Sequence, residues 1–284
     1  MSEKTKGYIY ILLSAICFSI GGLLIKINTW SGVSINGGRS IFAFFVMLCF
    51  LKAIKHKIVF NKQVVFGALV NTGMSTTFVV ANKLTAAANV IILQFTMPIY
   101  IVLMLWIFWK KKPKKAEVLT CAAAFVGILF FFYESLSRGG MAGNLLAILS
   151  GVLYAIVFLI KKIPGSDFES SALFSFLLNF VISLPFIAQE SDFSSVNLVS
   201  VVLLGVAQIG LAYIFLGLGL RTVPPVGAAL LSMLEPVLSP IIVAVFYGET
   251  IGLFGIIGAC IVLLSATIYN VMGARAVQAT DEPS

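Results

Sequence analysis

A single acidic side chain, Glu235, stands deep within an apolar run, in Leu231-Ser232-Met233-Leu234-Glu235-Pro236. It follows Pro224 by about 16 Å of helix, which places it near the middle of a bilayer. A charge at that depth costs a few kcal/mol unless it meets water, a counter-ion or a proton. Glu235 can therefore load and release a proton, bind a cation, or neutralise an arginine and hold helices together. The first two roles are functional and the third is structural; the residue types alone leave the choice open. Arg39 is the other charge inside an apolar run. It lies about one turn from the outer end of that run, close enough to reach the interface along its own stem.

Helical spacing sorts the remaining polar residues into faces. Asn71, Ser75, Phe78 and Asn82 form one stripe on the third hydrophobic segment. Asn89, Thr96 and Tyr100 share a face of the fourth. Ser14, Phe18 and Gly21 line up on the first, and Ser150 with Tyr154 repeat that pattern on the sixth. Ser232, Glu235 and Ser239 cluster on the ninth, where Ser232 is the counterpart of Gln94 on the fourth. Gln208 and Tyr213 come from the eighth. These faces are the expected lining of a central substrate cavity. Each residue type also has a packing use: serines let helices approach, amides bridge them and aromatics fill space. Asn179, with Ser183 one turn on, is equally placed to meet a neighbouring helix. Pro98 and Pro236 fall mid-segment, where each removes a backbone bond and bends its helix, so both are expected hinges. Pro240 is expected to distort the ninth segment further.

Other chemistries find no support. The one histidine, His56, sits in a lysine-rich loop, so no histidine-rich metal site can form. Asp167, Asp192 and Asp281 all lie outside the apolar runs, which removes an intramembrane aspartate pair. No serine occupies a G-x-S-x-G elbow, and Gly37-Gly38 and Arg138-Gly139-Gly140 are too short for a phosphate loop. Cys17, Cys49, Cys121 and Cys260 lie in four different segments without CxxC spacing and read as small apolar residues. The expectation is a protein that is not an enzyme and uses neither metal nor cofactor. The net charge of +8 comes from clusters at segment ends, where membrane topology accounts for them, so no nucleic-acid partner is expected.

The elements that must position these residues are membrane helices. A chain of 284 residues that is 60% hydrophobic and 11% charged is too apolar for a soluble globule. The pattern predicts an all-α membrane protein with ten transmembrane helices. They run over Gly7–Asn28, Ser34–Leu51, Val64–Lys83, Thr85–Trp109, Glu117–Tyr133, Asn144–Lys162, Ala172–Ala188, Leu198–Leu220, Pro224–Tyr247 and Ile251–Val271. Lys4-Thr5-Lys6 before an apolar run has the look of a secretory signal, but the run continues through Ile27, which favours a retained first helix. Fifteen of the 19 lysines and arginines then fall on one side, in clusters such as Lys52–Lys62 and Lys110–Lys115. Only Lys26, Lys83 and Arg138 fall on the other. The positive-inside rule places both termini in the cytoplasm.

An internal repeat organises the segments. Gly7–Ile27 lies over Gly143–Ile163 without a gap, with Leu13/Leu149, Ser14/Ser150, Ile20/Ile156 and Lys26/Lys162 among the identities. Leu93-Gln94-Phe95-Thr96-Met97-Pro98 likewise matches the Glu235 run without its acid. The expected units are a first repeat at 1–137, a second at 138–275 and a cytoplasmic tail at 276–284. Five helices per repeat is an odd number, so the second copy enters the membrane in the opposite sense. Inverted repeats related by a pseudo-two-fold axis give a physical route to alternating access.

Two such repeats, each with a proline in its fourth segment, resemble the drug/metabolite transporter superfamily, specifically its EamA-type branch. Leu234-Glu235-Pro236 followed by Tyr247-Gly248-Glu249-Thr250 is similar to the LEP…GE signature of the second EamA repeat. The first repeat departs from it, with Met97 before Pro98 and Lys110-Lys111-Lys112 in place of Gly-Glu. The resemblance implies a secondary active or facilitative transporter of small organic metabolites in the cytoplasmic membrane. Its leading form is an exporter of amino acids or related metabolites; the alternative is an uptake transporter for a small cationic nutrient. From another class, a membrane scaffold or lipid-handling protein stays open. The implied partners are a small-molecule substrate, membrane lipid and a proton as candidate coupling ion, in a monomer or homodimer.

Overall fold

The computed structural model describes residues 2–85, 87–133, 140–247 and 252–281. In lipid the backbone must satisfy its own hydrogen bonds, so apolar runs of this length fold as helices. In chain order these are α1 (Glu3–Ser19), α2 (Gly21–Ile27), α3 (Gly32–Ala53), α4 (Lys62–Leu84), α5 (Ala87–Gln94), α6 (Met97–Trp109) and α7 (Lys115–Phe131). The second half follows with α8 (Met141–Leu159), α9 (Phe168–Ile187), α10 (Ser195–Leu203), α11 (Ala212–Gly219), α12 (Pro225–Ser232), α13 (Leu234–Tyr247) and α14 (Leu253–Asp281). Side-chain caps fix several starts, as when Asn61 accepts from Val64 N at 2.8 Å and Asp167 from Ser170 N at 2.7 Å.

Among the described residues, eight helical stretches are long and apolar enough to cross a membrane. The expected fifth and ninth segments fall short of that length. The fifth is α7, with 17 residues, and the ninth is divided between α12 and α13. The apolar surface is turned outward, with Phe108, Leu119, Phe246 and Leu253 at least 70% exposed, as lipid contact requires.

Three expected helices are interrupted rather than bent. The fourth segment stops after Gln94 and restarts at Met97, so Pro98 falls in the first turn of α6, where its missing N–H leaves no gap in the ladder. The ninth breaks at Met233, the repeat counterpart of Phe95, and α13 then continues past Pro240 without a second break. The first segment breaks at Ile20, with no proline to announce it. In the eighth segment, Leu204–Leu211 is π-helical between α10 and α11.

The contacts between halves are reciprocal. α1 packs on α11, as α8 packs on α4; α1 packs on α13, as α8 packs on α6. α3 packs on α9, and α7 on α14. Exchanging the halves turns each contact into another of the set or into itself, which is the pattern two-fold symmetry produces. Two serines repeat it in detail: Ser14 donates to the Ala212 carbonyl oxygen (2.9 Å) and Ser150 to that of Met74 (3.1 Å). Small residues permit the closest approaches. A Cβ on Gly151 of α8 would lie 2.9 Å from the carbonyl oxygens of both Leu93 and Gln94, so α8 nestles against the break between α5 and α6.

Candidate functional site

A cavity of about 580 Å³ lies between the two halves. It draws on α1 from Phe18 onward, α3 only as far as Ser40, α4 from Asn71 onward, and α13 between Glu235 and Ser239. For α1, α3 and α4 this is the half of the helix nearer the Asn28–Gly32 connection, which also lines the cavity, whereas α13 contributes its first turns, just after the break at Met233. The other half of the bundle is closed by buried Ile11, Met47, Leu51, Phe158, Phe168 and Leu216.

Twelve of the residues expected from the sequence line this one space: Glu235, Ser239, Asn71, Ser75, Phe78, Asn82, Gln94, Phe18, Gly21, Tyr154, Gln208 and Tyr213. The hinge residue Pro236 lines it as well, whereas Pro98 is buried in the core beside it. Six do not line it; Ser14 and Ser150 serve the helix contacts described above, bonding the Ala212 and Met74 carbonyls. Asn89 donates to Thr85 Oγ1 at 3.3 Å, Thr96 bonds the Leu93 carbonyl, and Ser232 donates to the Ala228 carbonyl at 3.0 Å. Tyr100 packs half-buried against the hydrophobic core. The reason is common to three of them: the 89/96/100 face assumes an unbroken helix, and the break at Phe95–Thr96 resets its phase. Ser232 precedes the equivalent break at Met233, so it does not share the face of Glu235 and Ser239.

The floor is a hydrogen-bond chain across three helices. Tyr213 Oη donates to Asn71 Oδ1 (2.6 Å), Asn71 Nδ2 to Ser175 Oγ (2.6 Å), and Ser175 to the Ala172 carbonyl (2.8 Å). Phe18, Phe168 and Phe176 surround the Tyr213 ring, with centroids 5.2–6.0 Å away. On the wall, Gln94 Nε2 donates to Ser150 Oγ at 2.8 Å, joining the break in the fourth segment to the sixth.

Arg39 does not reach for the interface. Its Nε and Nη2 both donate to Asn36 Oδ1 (3.3 and 2.8 Å), and its Nη1 donates to Gln208 Oε1 (3.0 Å). Ser75 Oγ also donates to Asn36 Oδ1, at 2.9 Å, which fixes the amide that holds the guanidinium. Two irregular stretches place Gln208: the π-helical turn that carries it, and the break in the first segment, where a Cβ on Gly21 would lie 2.9 Å from Gln208 Nε2. Such π-helical turns often occur at functional positions. Opposite, Glu235 Oε2 is buried without a hydrogen-bond partner, and so is Asn179 Oδ1 on α9. No ion pair within 4.0 Å joins Arg39 to Glu235.

Sequence reasoning left out Arg39, Asn36, Trp30, Met74, Phe95 and Phe176, all of which line the cavity. Asn36 and Arg39 are three apart on one helix, and that spacing was the available signal. Trp30 belongs to a connection, where helical spacing says nothing.

At the end of the bundle away from the cavity, Glu169 accepts from Lys161 Nζ (3.0 and 3.2 Å) and from Arg221 Nη2 (2.7 Å). Beside it the His56 ring pairs with Asp167 at 3.1 Å, linking the α3–α4 loop to the start of α9. Burial pushes the Asp167 carboxyl up, but hydrogen bonds from Ser170 and the His56 ring outweigh that and hold it below its ordinary range.

Apolar helices in two exchangeable halves, around a largely apolar cavity that holds a few buried polar and charged side chains, define a multi-pass membrane protein with room for a small molecule. The EamA-like transporter family matches residues 5–133 and 141–271, and the chain belongs to that family of small-molecule transporters. One solved structure, a crystal structure described only as that of a protein, superposes with a TM-score of 0.81 at 16% identity. The match covers 95% of this chain and 98% of that one, and at this identity the likeness concerns the fold. Comparison with curated proteins found no match. Arg138 and the Gly248-Glu249-Thr250 part of the signature lie outside the described residues.

Proposed function

We propose that the protein moves small organic metabolites across the cytoplasmic membrane by alternating access. In this reading the chain crosses the membrane ten times, with repeats at 1–137 and 138–275 and both termini in the cytoplasm. The Asn28–Gly32 connection then faces outward, and the structure corresponds to the outward-facing state. The observation that carries the proposal is a cavity lined from both repeats but confined to one half of the bundle. Exchanging the conformations of two equivalent halves would close that half and open the other.

Export of amino acids or related metabolites is the leading form, supported by family membership and by a cavity that holds both signs of charge. Uptake of a small cation is the second reading, supported by the buried, unpartnered Glu235 oxygen among aromatic rings. Arg39 in the same space opposes it. Glu235 is also the candidate proton site, because a carboxyl that meets each side in turn can couple flux to a proton gradient.

Counterflow of radiolabelled solutes in proteoliposomes tests the proposal. A transporter exchanges at least one solute class, a scaffold exchanges none, and a lipid handler responds only to lipid. Glu235→Gln is expected to preserve exchange while abolishing pH-gradient-driven accumulation. Normal accumulation by that variant removes Glu235 from the coupling role.

A further inference from the structure

We infer that the loop joining α3 to α4, together with the first turns of α4, forms a binding site for an anionic phospholipid. The site is separate from the central cavity and stands whichever solute crosses and in whichever direction. A groove of about 480 Å³ runs down the outside of α4, lined by Phe60, Asn61, Lys62, Val65, Phe66 and Leu69. Lys62 opens the helix, and Leu69 lies seven residues on, about 10 Å further along its axis. Phe60 is 76% exposed and Leu69 56%, so an apolar channel lies open below the lysine. The membrane-spanning stretch of α4 begins at Lys62. The lysine therefore stands at headgroup depth, and the groove descends from it into the acyl region.

Charge selects the lipid. Residues 51–63 include Lys52, Lys55, Lys57 and Lys62 and no acid. All four lysines are exposed, and among the described residues none of them forms an ion pair. The two acids at the start of α9, beside this loop, are already engaged: Asp167 pairs with His56, and Glu169 accepts from Lys161 and Arg221. Four uncompensated cations at a membrane surface attract anionic headgroups, each adding to the affinity. The loop that carries them also has a fixed shape. Val59 N donates to Ser170 Oγ (3.0 Å), and Asn61 Nδ2 donates to the Gly165 carbonyl oxygen (2.7 Å). Phe60 meets Phe174 edge-on, with centroids 5.4 Å apart. A phosphate above and an acyl chain below thus meet a surface that is already formed, and the two halves of one lipid molecule answer its two chemistries.

The test uses the full-length protein in neutral detergent, with bound lipid counted by native mass spectrometry. The probes are phosphatidylglycerol and phosphatidylcholine with the same acyl chains, and sn-glycerol 3-phosphate as a headgroup without chains. Phosphatidylglycerol is expected to bind at least about 10-fold more tightly than phosphatidylcholine, and glycerol phosphate should fail to displace it. The double variant Lys57→Gln/Lys62→Gln is expected to lower the phosphatidylglycerol affinity about 25-fold, at about fivefold for each lysine. Lys112→Gln/Lys115→Gln removes the same charge from the connection between α6 and α7, and should change that affinity less than about twofold. Equal binding of the two lipids to the unaltered protein overturns the proposal, and that comparison stands even where a variant fails to fold. Equal losses from the two double variants also overturn it, since they mark a diffuse attraction rather than a site. Displacement by glycerol phosphate overturns it too, by showing a site for soluble anions. None of these outcomes bears on the transport reading, which counterflow tests by itself.

Discussion

Replacing Tyr213 by phenylalanine removes one oxygen atom from the cavity floor and keeps the ring in its aromatic cluster. The lost bond is the 2.6 Å contact from Tyr213 Oη to Asn71 Oδ1. Asn71 is 3% exposed, so its carbonyl oxygen would remain buried without a donor. An orphaned buried acceptor costs about 1–3 kcal/mol. Because both residues line the cavity, water can reach the orphan, and the lower part of that range, about 1–2 kcal/mol, is appropriate. The bond joins the third segment to the eighth, which belong to different repeats, and it closes the path below the cavity. If the bond exists only in this conformation, the same energy shifts the equilibrium toward the opposite one by about 5- to 30-fold. The assay is thiol labelling from the cytoplasmic face at Ala172→Cys, in a background lacking Cys17, Cys49, Cys121 and Cys260. Ala172 is 2% exposed and sits one turn beyond Ser175, on the closed side of the floor. Tyr213→Phe should raise its labelling rate by several-fold or more. An unchanged rate in a stably folded variant refutes the claim that this hydrogen bond holds the floor shut.

Two further predictions concern the frame. A valine at Gly151 has no room against the Leu93 and Gln94 carbonyls and should lower the melting temperature and folded yield, at a cost of about 1–3 kcal/mol; Gly73→Ala, whose nearest neighbour would be 3.3 Å away, should be nearly silent. Asp167 has its carboxyl held below the ordinary range, so its contribution is complete above about pH 4 and is lost as pH falls through the lowered value. Thermal melts from pH 7 to 3 should show this acid loss, and Asp167→Asn, which can still cap α9, should reduce it. Asp167→Ala should cost about 1 kcal/mol at neutral pH through the lost cap.

Much of the site was legible where a helix runs unbroken. α4 keeps one phase for 23 residues, so the spacing of Asn71, Ser75, Phe78 and Asn82 identified a true common face, and all four line the cavity. The matched prolines Pro98 and Pro236 marked to within a turn where the fourth and ninth segments depart from a single straight helix, but the expectation was a bend and the structure has a break just before each proline. The fourth segment failed for the opposite reason: the restart at Met97 discards the phase on which Asn89, Thr96 and Tyr100 were grouped. Arg39 was misread because sequence gives depth but not partners. Its inward course depends on Gln208, whose place is set by a π-helical turn and by a break at Ile20 that no proline marks. Asn179 could have faced a helix or a cavity, and only the packing of α3 against α9 decides between them.

Alternating access is the central claim, and a single cysteine at Ser75 tests it directly. Ser75 lines the cavity and belongs to the stripe that both conformations must expose in turn. In proteoliposomes of one fixed orientation, an impermeant thiol reagent should label Ser75→Cys from either face, while the membrane shows no ion conductance attributable to the protein. Labelling from one face alone, or labelling from both accompanied by steady conductance, contradicts the account.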